Sequence, residues 1–181
     1  MRYFHKFEKI TKKMLNKNNL LITAFIILGV LTRIIPHPPN FTAIGAVALF
    51  GGALFSDKKL AFFIPIFTMM ISDLILGYQA AINVYISFII MVCIGFLLTN
   101  KRNGLRIINI TLLASLVFFL ITNLSVFLTS SLYSKNILGL IECYTLAIPF
   151  FINTIMGNIT YSLIMFYGFS IVQKKLLIES K

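Results

Sequence analysis

Six apolar runs, parted by short basic or proline-bearing breaks, leave this chain few ways to fold. They lie at about residues 20–35, 41–55, 60–77, 82–99, 105–128 and 144–172. A helix of about 20 residues crosses the hydrocarbon core of a bilayer, and the backbone there must satisfy its own hydrogen bonds. Runs of this length with almost no internal charge read as transmembrane helices. Charged residues make up 12% of the chain, where soluble domains carry about a quarter, which excludes an ordinary soluble fold. The expected architecture is all-α, a polytopic bundle of six transmembrane helices over residues 20–173.

The basic residues set its orientation. Arg2, Lys6, Lys9, Lys12, Lys13 and Lys17 precede the first run; Lys58 and Lys59 follow the second; Lys101, Arg102 and Arg106 follow the fourth; Lys174, Lys175 and Lys181 follow the sixth. With six spans, all of these fall on one side, and only Arg33 and Lys135 fall on the other. That is the positive-inside pattern, with both termini cytoplasmic. It places the protein as a multi-pass component of a cytoplasmic membrane. The formal charge of +11 lies at loop ends and forms no continuous basic face, so it argues against a nucleic-acid partner. Residues 1–19 form a segment of their own. Tyr3, Phe4, Phe7, Ile10, Met14 and Leu15 share one helical face and the lysines the other, as in a helix lying in the headgroup plane of the bilayer. Residues 174–181 form a basic tail. Cys93 and Cys143 are too far apart and too differently placed for a redox or metal pair.

The second run has an unusual entry, RIIPHPPNFTAIGAVALFGGALF, residues 33–55. Pro36, Pro38 and Pro39 forbid helix there and stiffen the loop. Asn40 is placed to cap the helix that follows. That run is short for a span, so the proline segment must dip into the membrane or be covered by protein. Its small residues, Gly45, Ala48 and Gly52 above all, form a surface that another helix can approach closely. The surface serves either packing within the chain or docking of a partner membrane subunit.

With this topology, position in the sequence becomes depth in the membrane. Arg33, His37, Asn40, Ser72, Asp73, Gln79, Asn83, Tyr85, Thr122, Asn123, Ser125, Glu142, Tyr144 and Asn153 all fall toward the outer side. The inner half is Leu, Ile, Phe and Val, with Asn158 and Thr160 the main exceptions. A charge within the hydrocarbon costs about 2.5–3.5 kcal/mol and marks a partner or a cavity. Asp73 is the one acid in IPIFTMMISDLILG, and Arg33 is at matching depth on another helix. Either the pair locks two helices together, or one or both groups meet a ligand. Glu142 is placed near a helix start, where the macrodipole favours a carboxylate. The candidate substrate-binding set is Arg33, His37, Asn40, Asp73, Gln79, Asn83, Asn123 and Glu142.

The sequence carries no nucleophile elbow, no HExxH and no phosphate-binding GxxxxGK[ST]. The expectation is a non-enzyme without cofactor or metal, although an intramembrane acid–base site is a third alternative.

Three stretches, RIIPHPPNFTAIGAVALFGGALF, AFFIPIFTMMISDLILG and GLIECYTLAIPFFINTIMGN, resemble a bacterial family of small six-helix membrane proteins (domain of unknown function 6580). The resemblance spans about residues 33–168 and implies no catalytic residues. More distantly, the plan is similar to the substrate-binding S components of energy-coupling factor transporters. That likeness implies an outer pocket, a small-molecule or vitamin-like substrate, and a membrane coupling subunit with ATPases. The alternative is a structural or assembly protein with no ligand.

Overall fold

The computed structural model describes residues 24–178, side chains through Lys174. Among them it is all-α, without strands. Six helices follow in order: α1, Ala24–Ile34; α2, Ile44–Leu54; α3, Lys58–Leu76; α4, Ile82–Gly95, which tightens into a 3-10 turn, Phe96–Leu98; α5, Gly104–Thr129; and α6, Ile137–Ile178. The expected interfacial helix of residues 1–19 and the start of the first run lie outside the described residues.

Three of these helices, α3, α5 and the stretch Ile137–Lys174 of α6, are long and apolar enough to cross a membrane. They mark the chain as a membrane protein. The helix α2 is different. Its 11 residues reach only about 16 Å at 1.5 Å per residue, and ten of the 11 are buried. A helix that is apolar on every side belongs inside a protein. Accordingly α2 is the axis of the bundle. It touches α3, α4, α5 and α6, and Phe25 of α1 packs edge-on to Phe50 at 4.6 Å between ring centroids.

This placement corrects one sequence expectation. Gly45, Ala48 and Gly52 present no surface to a partner subunit, because all three are buried inside the chain. A side chain at Gly52 would run into the backbone of Val92 and Gly95 on α4. The small residues let two backbones of one molecule meet, which was the other reading of the same pattern.

The helix ends are tied off at both ends of the bundle. Asp57 accepts from Lys59 N–H at 2.9 Å, and Asn103 from Arg106 N–H at 2.9 Å. Lys58 reaches back to the carbonyls of Gly52 and Phe55, where the α2 dipole favours a cation. At the opposite end Lys135 donates to the carbonyls of Phe127 and Ser130 at the close of α5. The sixth element is longer than the apolar run that announced it, 42 residues, and stays helical through Pro149 and past Val172. Lysine and glutamine are good helix formers, so the change from apolar to basic sequence does not end the helix.

Candidate functional site

One end of the bundle collects the C-terminal turns of α1 and α3, the proline loop before α2, the start of α4, and the facing stretches of α5 and α6. Asp73 owes its place to the end of α3. Gly77 stops that helix in the left-handed conformation, φ 71°, and the N–H groups of Gly77 and Tyr78 both donate to the Asp73 carbonyl. The same turn carries the Tyr78 ring over Arg33, 5.8 Å from the guanidinium carbon.

Arg33, on the last turn of α1, donates through Nη1 to Asp73 Oδ1 at 2.5 Å and to Ser72 Oγ at 2.7 Å. Ser72 Oγ in turn donates to the Thr68 carbonyl at 2.8 Å, so toward Arg33 it acts as acceptor. The second carboxylate oxygen of Asp73 accepts from the Tyr85 hydroxyl of α4 at 2.8 Å. The two charged side chains retain 15% and 8% of their exposure, which makes this a desolvated, hydrogen-bonded pair spanning α1, α3 and α4. Breaking such a pair by removing one partner costs about 3–5 kcal/mol.

The pair forms one wall of a cavity of about 450 Å³, within the range of small-molecule sites. Met69, Phe88, Met91 and Phe118 supply an apolar lining, and Thr154 and Asn158 of α6 supply polar groups. A second cavity, about 360 Å³, adjoins it and shares Asn40, Ala81, Val84, Phe118 and Thr154. Its own lining includes Thr122, Ser125 and Thr129 and carries no charged side chain.

The residues singled out in the sequence divide accordingly. Arg33, His37, Asn40, Asp73 and Gln79 line the first cavity. Asn83 and Asn123 line the second, with Asn40 between the two. His37 turns its ring nitrogens back onto the carbonyls of Pro38 and Arg33, at 2.7 and 3.3 Å. Asn40 does not cap α2. It occupies a turn at φ 66°, a conformation asparagine tolerates. The helix opens at Ala43, whose N–H donates to Thr32 Oγ1 of α1 at 3.0 Å.

Glu142 lines neither cavity. It is exposed in the second turn of α6, because that helix starts at Ile137, earlier than the apolar run suggested. The acceptor at that helix start is Asn136 Oδ1, bonded to Gly139 N–H.

Tyr78, Tyr85, Thr154 and Asn158 were absent from the sequence-derived set. Thr154 and Asn158 stand one helical turn apart on α6, which was the available signal. Among the described residues, no three His, Cys, Asp or Glu side chains are grouped to hold a metal ion.

Fold and site together define an all-α membrane protein with a partly polar cavity walled by a buried ion pair. The chain belongs to a family of unknown function (DUF6580), whose model matches residues 13–179. No curated protein and no solved structure matches it.

Proposed function

We propose that the protein is a multi-pass substrate-binding protein of S-component type, which captures a small molecule in the Arg33–Asp73 cavity for import. The observation that carries this reading is the cavity itself: about 450 Å³, apolar over much of its wall, with Arg33 and Asp73 beside it. The positive-inside distribution of lysines and arginines gives the orientation. In this reading six helices cross a bacterial cytoplasmic membrane, both termini are cytoplasmic, and the cavity faces outward. The proline loop forms part of the rim. The S-component plan is an analogy of size, topology and outer polar cluster. Transport then needs a membrane coupling subunit with ATPases, or reorientation driven by the ligand gradient. The buried face of α2 is not available for that coupling contact.

The test is a thermal-shift screen of the purified protein against vitamins, their precursors and metal complexes. A ligand at 100 times its Kd stabilises by about 2.7 kcal/mol. The gain should disappear in Arg33→Ala and in Asp73→Asn. Silence across a broad library would favour the second reading, a structural or assembly protein. That alternative draws on the completeness of the Arg33–Asp73–Tyr85 cluster, which ties three helices together without any ligand.

A further inference from the structure

We infer that the α6 wall of the cavity selects ligands carrying a neutral hydrogen-bond donor, a ring N–H, amide N–H or hydroxyl on an apolar body. The inference rests on the binding reading above and names the chemistry that the site would recognise.

The argument begins at Ser115 on α5. Its Oγ lies 2.9 Å from the Thr111 carbonyl, which can only accept, so the hydroxyl hydrogen is committed there. Ser115 Oγ can then only accept from its other neighbour, the Asn158 side chain at 3.0 Å. That fixes the asparagine amide: Nδ2 faces Ser115, and Oδ1 faces the other way. Asn158 is only 5% exposed and lines the cavity. Among the described residues nothing donates to its Oδ1. That oxygen packs against the bare backbone of Gly45 on α2. A side chain there would collide with Oδ1 and come within 2.9 Å of Met91 Cε.

Thr154, one turn earlier on α6, repeats the pattern. It is 6% exposed, and its hydroxyl donates to the Phe150 carbonyl at 2.9 Å, so toward the cavity it offers only lone pairs. Two buried side chains about 6 Å apart along the helix axis therefore present acceptors alone. A ligand with donors on its α6-facing edge would meet acceptors that, among the described residues, receive no donor. Arg33 and Asp73 beside the cavity are already paired with each other, so the wall offers no unpaired carboxylate to an ammonium and a neutral donor fits better. The Met69, Phe88, Met91 and Phe118 side chains suit a flat apolar body between these groups.

The experiment uses the purified full-length protein and matched bicyclic pairs that differ only in replacement of a ring N–H by oxygen: indole with benzofuran, and their 3-carboxylates. Thermal shifts are titrated for each member. The N–H member should half-saturate at a concentration about tenfold lower, which corresponds to 1.4 kcal/mol. Asn158→Leu should abolish that preference. Ser115→Ala, a small change that frees the amide to rotate, should reduce it. A plug at the exposed Ala81, Ala81→Trp, should remove the shifts of both members. Equal responses within each pair in the wild type, or a preference that survives both Asn158→Leu and Ser115→Ala, would overturn this inference alone, provided that Ala81→Trp still removes binding. The absence of any shift across the panel would overturn this inference while the broad screen still decides the binding reading; shifts indifferent to Ala81→Trp would overturn both.

Discussion

The two ends of the α2 helix lie in contrasting surroundings. Toward Leu54, α2 meets a closed aromatic cluster. Phe50 packs against Phe25, Phe166 and Phe169, with ring centroids 4.6, 5.1 and 5.5 Å apart, and is 1% exposed. Toward Ile44 the same helix borders the cavity, and its neighbours are an ion pair, two tyrosines and hydroxyl and amide groups. One end fills its space with interlocking rings, as a protein interior normally does. The other leaves space open and surrounds it with groups whose hydrogen bonds are committed in fixed directions.

Substitutions can break or sharpen this contrast. The largest effects should come from Phe50→Ala and Asp73→Ala. Phe50→Ala opens a void in the closed end and should cost about 3–5 kcal/mol. Asp73→Ala strands Arg33 and should cost a similar amount, whereas joint replacement by Arg33→Met and Asp73→Leu should cost clearly less. Unfolding of the purified protein in mixed micelles would measure both. If Asp73→Ala proved harmless, the ion pair would not be desolvated as described.

Tyr85→Phe should follow, at about 1.5–3 kcal/mol, because it removes a donor to a charged group and leaves the ring in place. Gly52→Ala should cost about 1–3 kcal/mol, since the added carbon meets α4 backbone that cannot yield. Gly45→Ala meets side-chain atoms of Asn158 and Met91 instead. It should cost less stability and more ligand affinity, so the two glycines separate packing from binding. Lys58→Met should be smallest, about 0.3–1 kcal/mol from the lost interaction with the α2 terminus.

Much of the frame was legible in the sequence. Long runs of apolar residues gave the helices, and α5 matched its run to within a residue at each end. The pairing of Arg33 with Asp73 also followed from sequence, because two opposite charges at the same depth in an apolar chain have little else to meet. What could not be read was rotation. Whether Gly45 and Gly52 face a partner or the interior depends on which helices surround α2, and composition does not say. The direction of the Asn158 amide depends on Ser115, 43 residues away, through a contact no local pattern encodes. Glu142 was misplaced for a local reason. The first turns of α6, residues 137–141, are apolar but are cut off from the long run by Gly139 and Glu142, and the Asn136 acceptor marked where the helix begins.

The most direct test of the contrast compares two positions on one face of α6. Thr154 lines the cavity, while Ser162, two turns further along, is fully buried. Cys93 and Cys143 are first replaced by alanine. Thr154→Cys and Ser162→Cys are then treated in intact cells with a small, membrane-impermeant methanethiosulfonate. The account predicts rapid modification of Thr154→Cys, slowed by Ala81→Trp, and no modification of Ser162→Cys. An unreactive Thr154→Cys, or equal reaction at both positions, would contradict it.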